Sequence, residues 1–366
     1  MALTHISYFN LTSLRQLYEA VGSACEVVTH HNDIRDVMPD ASPRLIESLR
    51  NIDEPMRRAE AELDYDQAHG IEPLAISNPR YPQRLLEGAD APLVLFHRGN
   101  ADLNQQRVIC MVGTRHSTAY GQDLVRRFIE DLRQLCPKVL IVSGLAYGID
   151  IHAHRNALLQ GYETEAVLAH GLDQLYPPRH TQTAREMVQQ GGLLTEFFTN
   201  TRAEKMNFVR RNRIVAGMSD ACILVESAAH GGGLITARLA HGYNRDVFAF
   251  PGNVGAQYSE GCNNLIRDNG ATLLTSAQDF VNAMGWQDDS TLIQARQAGI
   301  ERDMFPELSA DEMLVVNTLK EHNDLQLNLL SVRTNLPIAR LSALLFEMEM
   351  KGVVKPYAGG TYHLLM

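Results

Sequence analysis

From residue 107 to about residue 285 the chain repeats one pattern: a short apolar run rich in β-branched residues, then a stretch long enough to cross over as a helix. The runs are RVICMVG (107–113), KVLIVSG (138–144), TEAVLAHG (164–171), GLLTEF (192–197), ACILVES (221–227) and DVFAFPG (246–252). Near-continuous apolar strands suit a parallel sheet buried on both faces, because neither face is left for water. Right-handed crossovers then wind helices over both sides. The expected fold is therefore α/β, a doubly wound, mostly parallel, Rossmann-like sheet.

At 366 residues there is room for flanking domains. Residues 1–64 read as a small N-terminal helical domain, SAM-like or a degenerate helix-hairpin-helix, from polar helical stretches such as LTSLRQLYEA. Residues 65–285 carry the sheet, entered through the proline-bearing turn NPRYPQRL. Residues 286–307 are polar and weakly patterned, as expected of a linker. In 308–366 three helical segments precede two short strands around Gly359-Gly360, the layout of a winged helix. Its five cations stand against six carboxylates, whereas a DNA-reading helix is normally basic. Protein contacts are the alternative use for that module.

Ligands of an open α/β sheet bind beyond the carboxyl ends of its strands. Three such places here favour anions. Gly113-Thr114-Arg115 follows the first run, where a tight turn offers N–H groups and Arg115 a fork of donors. Ser143–Asp150 follows the second, with His152 and His154 after it. Asp150 and His154, four apart, could pair as acid and base, but Asp150 is equally placed as a helix cap. The third is Gly231-Gly232-Gly233, a backbone cradle ahead of a helix.

The formal net charge of −10 argues against a general polyanion binder and confines any nucleic-acid contact to a local basic surface. RAEKMNFVRRNRIVAG (202–217) supplies one, with Arg202, Lys205, Arg210, Arg211 and Arg213 against Glu204. A charge run is usually a solvated helix face. If 207–216 is helical, Phe208, Arg211, Asn212 and Val215 share one side. Arg210 and Arg213 then project elsewhere, and one of them is expected to pair with a carboxylate such as Glu226.

Several chemistries lack their signatures. There is no P-loop, no G-x-G-x-x-G after a strand and no G-x-S-x-G elbow, so no catalytic residue, cofactor or metal is expected. The five scattered cysteines contain no C-x-x-C pair, the usage of a reduced, cytoplasmic protein. MALTHISYFNLTSLRQL does not read as a signal peptide, and no apolar run approaches the roughly 18 residues of a membrane span.

The motifs MVGTR…YG (111–121), SGLAYGIDIHAH (143–154), GLDQLYPP (171–178), FVRRNRIVAGMS (208–219), GGLITARLA (232–240), FAFPG (248–252) and EGCNNLIRDNGA (260–271) together resemble the DNA-processing protein A family, DprA or Smf. The resemblance implies an extended Rossmann domain that forms a homodimer and binds single-stranded DNA. It further implies protection of incoming strands during natural transformation, loading of a RecA-type recombinase, and no enzymatic activity. Carried over by motif, the DNA pocket comprises Gly113, Thr114, Arg115, Lys205, Phe208, Arg211, Asn212 and Arg213, with Gly231, Gly232 and Gly233 from the glycine turn. Members often have Ser-Gly-Ser where this chain has three glycines, so contacts there must use backbone N–H groups. Phe208 would stack a base while Arg211 and Asn212 meet phosphate or base edges.

A rival reading from another class is a Rossmann-type nucleoside monophosphate phosphoribohydrolase resembling lysine decarboxylases, which use a P-G-G-x-G-T loop. The nearest stretch here, Pro251-Gly252-Asn253-Val254-Gly255, lacks the second glycine and the threonine.

Overall fold

The structure is a computed structural model that describes residues 1–6, 11–286, 308–323, 325–351, 353–357 and 361–365. The chain forms two compact units, residues 1–287 and 288–366.

The first unit opens with five helices, α1 (Ala2–Ile6), α2 (Leu11–Val21), α3 (Ala24–Thr29), α4 (Pro43–Arg50) and α5 (Asp53–His69). Serines start two of them: Ser23 accepts from the Glu26 N–H and Ser42 from the Leu45 N–H. Leu14, Leu17, Val27, Ile34 and Leu49 form one apolar cluster with Phe96 and Phe198, which ties these helices to the edge of the sheet.

Nine strands follow: β1 (Glu72–Ala75), β2 (Val94–Gly99), β3 (Val108–Val112), β4 (Leu140–Ser143), β5 (Thr164–Val167), β6 (Gly191–Thr195), β7 (Ala221–Leu224), β8 (Asp246–Ala249) and β9 (Thr272–Leu273). Their order in the sheet is β1-β2-β6-β5-β4-β3-β7-β8-β9. From β6 to β9 every pairing is parallel, while β2 lies antiparallel to β6 and β1 to β2. All six strands expected from the apolar runs form. The three additional ones sit toward the edges, where β1 contains Pro73 and β9 has two residues.

Among the described residues the unit is completed by the α-helices α6 (Ala119–Leu135), α7 (Ile149–Leu159), α8 (Thr181–Gln189), α9 (Lys205–Gly217), α10 (Gly232–Gly242), α11 (Glu260–Arg267) and α12 (Ala277–Ala283). Strand alternation divides the side chains between two cores. Ile109 and Met111 of β3 pack with Val125, Phe128 and Ile129 of α6. Val108, Cys110 and Val112 of the same strand pack on the other face with Ile214 and Val215 of α9 and Ala237 of α10. The doubly wound α/β architecture follows from that division.

In the second unit α13 (Ala310–Glu321), α14 (Leu327–Thr334) and α15 (Ile338–Met350) stand with a small sheet of β10 (Leu325–Gln326), β11 (Val354–Tyr357) and β12 (Thr361–Leu364), ordered β10-β12-β11. Ser309 and Glu312 close a capping box on α13, and Lys351 pairs with Glu312 at 2.6 Å. Val315, Leu319, Leu330, Leu341 and Leu345 fill a core of its own. This is the expected winged-helix layout. The Gly359-Gly360 turn and residues 287–307 of the expected linker lie outside the described residues.

Three aromatic rings surround the fully buried Phe280, whose ring centroid lies 5.6, 5.1 and 5.3 Å from those of Phe128, Phe248 and Trp286. Phe280→Ala is expected to destabilise the first unit by about 3–5 kcal/mol. Urea unfolding followed by circular dichroism will show this as a lower midpoint, and an unchanged midpoint contradicts the packing.

Candidate nucleic-acid interface

β3 lies between β4 and β7, so the chain winds one way from β3 to β6 and the other way through β7 and β8. That reversal is a topological switch point, where loops on opposite sides diverge and leave a crevice. The loops after β3, β4 and β7 are locked together there. Thr114 donates its N–H to the Glu226 carbonyl (2.7 Å), and Ile149 donates to the Thr114 carbonyl (3.1 Å). Gly148, at φ +76°, passes so close that a Cβ would lie 2.1 Å from the Thr114 oxygen. A side chain at that position is excluded by both conformation and space. Asp150 does not cap its own helix, where Gly148 holds the cap position. Its carboxylate instead accepts from the Ala146 N–H at 3.4 Å and tethers the preceding loop.

Between these loops and α9 opens a cleft of about 590 Å³. It brings together the Gly113–Arg115 turn, Lys205, Phe208, Arg211 and Asn212 of α9, and glycines 231–233. The helix runs from Lys205 to Gly217, so Phe208, Arg211, Asn212 and Val215 share the cleft face as their spacing requires.

The cations are held in different ways. Arg115 and Lys205 are exposed, and among the described residues neither forms an ion pair. The Arg115 guanidinium lies 4.9 Å from the centroid of the half-buried Phe208 ring, and Tyr176 meets that ring edge-on at 5.8 Å. Arg211 is buried. It donates to the Val167 carbonyl and lies so close to Gly144 that a Cβ there would sit 2.1 Å from a guanidinium nitrogen. Burial lowers its pKa to about 10, against the opposing pull of Asp150, so Arg211 stays cationic at neutral pH. Burial in turn pushes the Asp150 carboxyl up, opposed by Arg211 and by loop N–H groups. Arg211 is thus a fixed charge beneath the cleft rather than a mobile donor at its rim.

Arg213 is not brought to the cleft. Two residues along a helix turn the side chain by about 200°, and Arg213 joins Arg210 on Glu196, at 2.5 and 2.8 Å. The ion-pair partner is therefore Glu196 and not Glu226. Glu226 accepts instead from the N–H (2.8 Å) and hydroxyl (2.5 Å) of Thr118, at the start of α6, where the helix dipole favours a carboxylate. Sequence reasoning missed Tyr176, which is 43% exposed and lines the cleft beside Phe208. The available signal was an aromatic residue in GLDQLYPP, a loop motif with no apolar periodicity to explain it.

His154 pairs with Thr164, not with Asp150. Its Nδ1 lies 2.7 Å from the Thr164 hydroxyl, which donates to the Ile141 carbonyl, so Nδ1 carries the proton. Among the described residues no cluster of three or more His, Cys, Asp or Glu is arranged to hold a metal, and no helix is long and apolar enough to cross a membrane.

Burial lowers the His154 pKa from 6.5 to about 3, helped by Arg211. Below pH 6.5 the unfolded chain takes up a proton that the native state refuses. Stability from this group is full above that pH and falls as the solution is acidified, by up to about 1.4 kcal/mol per pH unit. His154→Gln is expected to show a shallower loss of denaturant midpoint than wild type between pH 6.5 and 4.5. Parallel curves would contradict a buried, neutral imidazole.

Known proteins share both the sequence and this arrangement. The family model of DNA recombination-mediator protein A matches residues 72–285, and that of the DprA winged helix domain matches 305–360. Protein Smf of Synechocystis is 32% identical over 317 residues, covering 79% of this chain and 79% of that protein. The structure of DNA processing protein A from Streptococcus pneumoniae aligns with a TM-score of 0.64 at 33% identity, over 77% of this chain and 95% of that one. DNA processing protein A from Helicobacter pylori, described for its single-stranded DNA binding mode, aligns at 0.53 with 28% identity, over 58% of this chain and 95% of that one. A switch-point cleft, a winged-helix second unit and matches along most of the length make this chain a member of the DNA recombination-mediator protein A family, DprA or Smf.

Proposed function

We propose that this protein binds single-stranded DNA in the cleft between α9 and the three loops, protects incoming strands and passes them to a RecA-type recombinase in transformation and recombination. The observation that carries this reading is Phe208, an aromatic ring that shares the cleft with the exposed cations Arg115 and Lys205, neither ion-paired among the described residues, and with the buried charge of Arg211. Binding without sequence choice needs a surface on which any base can stack and cations that track the phosphates. In the structure Arg115 occupies one face of the ring. A base takes that place by displacing the guanidinium toward a phosphate, which exchanges a cation–π contact for stacking and a charge-assisted hydrogen bond. The glycine turn adds donors: Gly231 is the cap of α10, and the first-turn N–H groups of Gly232 and Gly233 have no acceptor within their own helix.

The hydrolase reading lacks a comparable observation. The loop at 251–255 does not line the cleft, and Asn263 holds Gly252 through two hydrogen bonds of 3.0 Å. The protein is accordingly read as a non-catalytic, cytoplasmic binding protein. Pairing with a second copy belongs to the same reading, and light scattering of the purified chain tests it.

Stacking contributes roughly 1–3 kcal/mol per base, so Phe208→Ala is expected to weaken oligothymidylate binding about tenfold or more. A folded variant that binds like wild type overturns the assignment. Each rim cation lost, by Arg115→Ala or Lys205→Ala, is expected to reduce the log–log salt dependence by about 0.7. Wild-type affinity that ignores salt contradicts phosphate contact.

A further inference from the structure

A second cleft opens on the other side of Arg115. It has a volume of about 620 Å³, is walled by Arg115, Tyr147, His152, Arg155, Arg179 and His180 among others, and has no carboxylate in its lining. Arg155 stands one turn beyond His152 on α7, and Arg179 belongs to the short turn that leads into α8. The Arg155 Nε donates to the Thr183 hydroxyl at 3.2 Å, which orients the guanidinium without neutralising it. His180 donates from Nδ1 to the Leu145 carbonyl at 2.8 Å, and its ring meets Tyr147 edge-on at 5.0 Å. Tyr147 itself is 39% exposed.

Two features separate this cleft from an ordinary wet surface. In a chain of net charge −10, arginines such as Arg58, Arg84, Arg126 and Arg245 sit against Glu62, Asp220, Asp123 and Glu87, whereas three arginines share this concavity with no carboxylate in its lining. Arg115, Arg155 and Arg179 form no ion pair among the described residues, although they line one concavity. Like charges gathered without counter-charge are costly in the free protein and are relieved by a bound anion. The second feature is the repetition of the first cleft's chemistry, an accessible aromatic ring among unpaired cations. Arg115 belongs to the linings of both.

We infer that the second cleft is a further station for the same DNA strand. Arg155 and Arg179 take phosphates, Tyr147 stacks a base, and Arg115 is the cation at the crossing between the two stations. This inference rests on the single-strand reading of the first cleft. It adds that strands long enough to pass Arg115 gain contacts that short ones lack.

The test compares oligothymidylates of roughly 6 and roughly 20 nucleotides, one near the lower end of the usual footprint of a single-strand-binding fold and one beyond its upper end. The full chain is used as wild type, Arg155→Gln/Arg179→Gln, Arg155→Lys/Arg179→Lys and Phe208→Ala. The glutamine pair is expected to bind the short strand like wild type and the long strand about tenfold more weakly, with a salt slope shallower by roughly 1.4. The lysine pair, which keeps both charges, is expected to retain most of the long-strand affinity. Phe208→Ala is expected to weaken both lengths. Long-strand binding by the glutamine pair equal to wild type overturns the second station and leaves the first cleft untouched. Equal loss on both lengths also overturns it, since the arginines then act through the first cleft. Failure of wild type to bind either strand removes the station together with the reading it rests on.

Discussion

The central constraint on this fold is that β3 has no exposed face. Its five residues point alternately into two apolar cores, one under α6 and α12 and the other under α9 and α10. A strand buried on both sides cannot carry polar function along its length, so polar chemistry is displaced to its end. Because β4 and β7 flank it and are buried in the same way, their outgoing loops emerge beside its own. The cleft exists because three apolar strands end together. The loops are tied to one another through Thr114, Glu226, Ile149 and Asp150, which holds the floor of the cleft together before any ligand arrives.

The helix α9 mediates between core and cleft. Ile214, Val215 and Ala216 anchor it in the interior, which fixes the rotation of its first turns. One side then presents Phe208, Arg211 and Asn212 to the crevice, and the other commits Arg210 and Arg213 to Glu196. The same basic stretch therefore supplies both a wall of the cleft and an internal brace. Arg211 does some of each, since its charge faces the cleft from below while its hydrogen bond holds the end of β5.

How much of this was legible in the sequence depended on whether the cause was local. The six inner strands were readable because burial on both faces leaves an unbroken apolar run, and the shared face of Phe208, Arg211 and Asn212 because helical spacing is a property of the segment alone. β1 and β9 were not, since a four-residue strand containing Pro73 and a two-residue strand are too short to carry a period. The carboxylate that receives Arg210 and Arg213 escaped for a related reason. Glu226 and Glu196 both follow apolar strands, and choosing between them requires knowing on which side of the sheet each carboxylate emerges. Tyr176 escaped because its importance lies in a contact between its loop and Phe208 of α9, and nothing in GLDQLYPP records that neighbour.

The unpaired Arg115 and Lys205 acquire a kinetic meaning when set against the acidic remainder of the molecule. A polyanion diffusing toward a body of net charge −10 is repelled over most orientations and drawn in where exposed cations have no ion-pair partner among the described residues. Repulsion elsewhere discourages unproductive adsorption, so encounters are funnelled toward a small solid angle around the crevice. On the single-strand reading, the acidity that argued against nucleic-acid binding acts as a guide rail, trading overall attraction for aim.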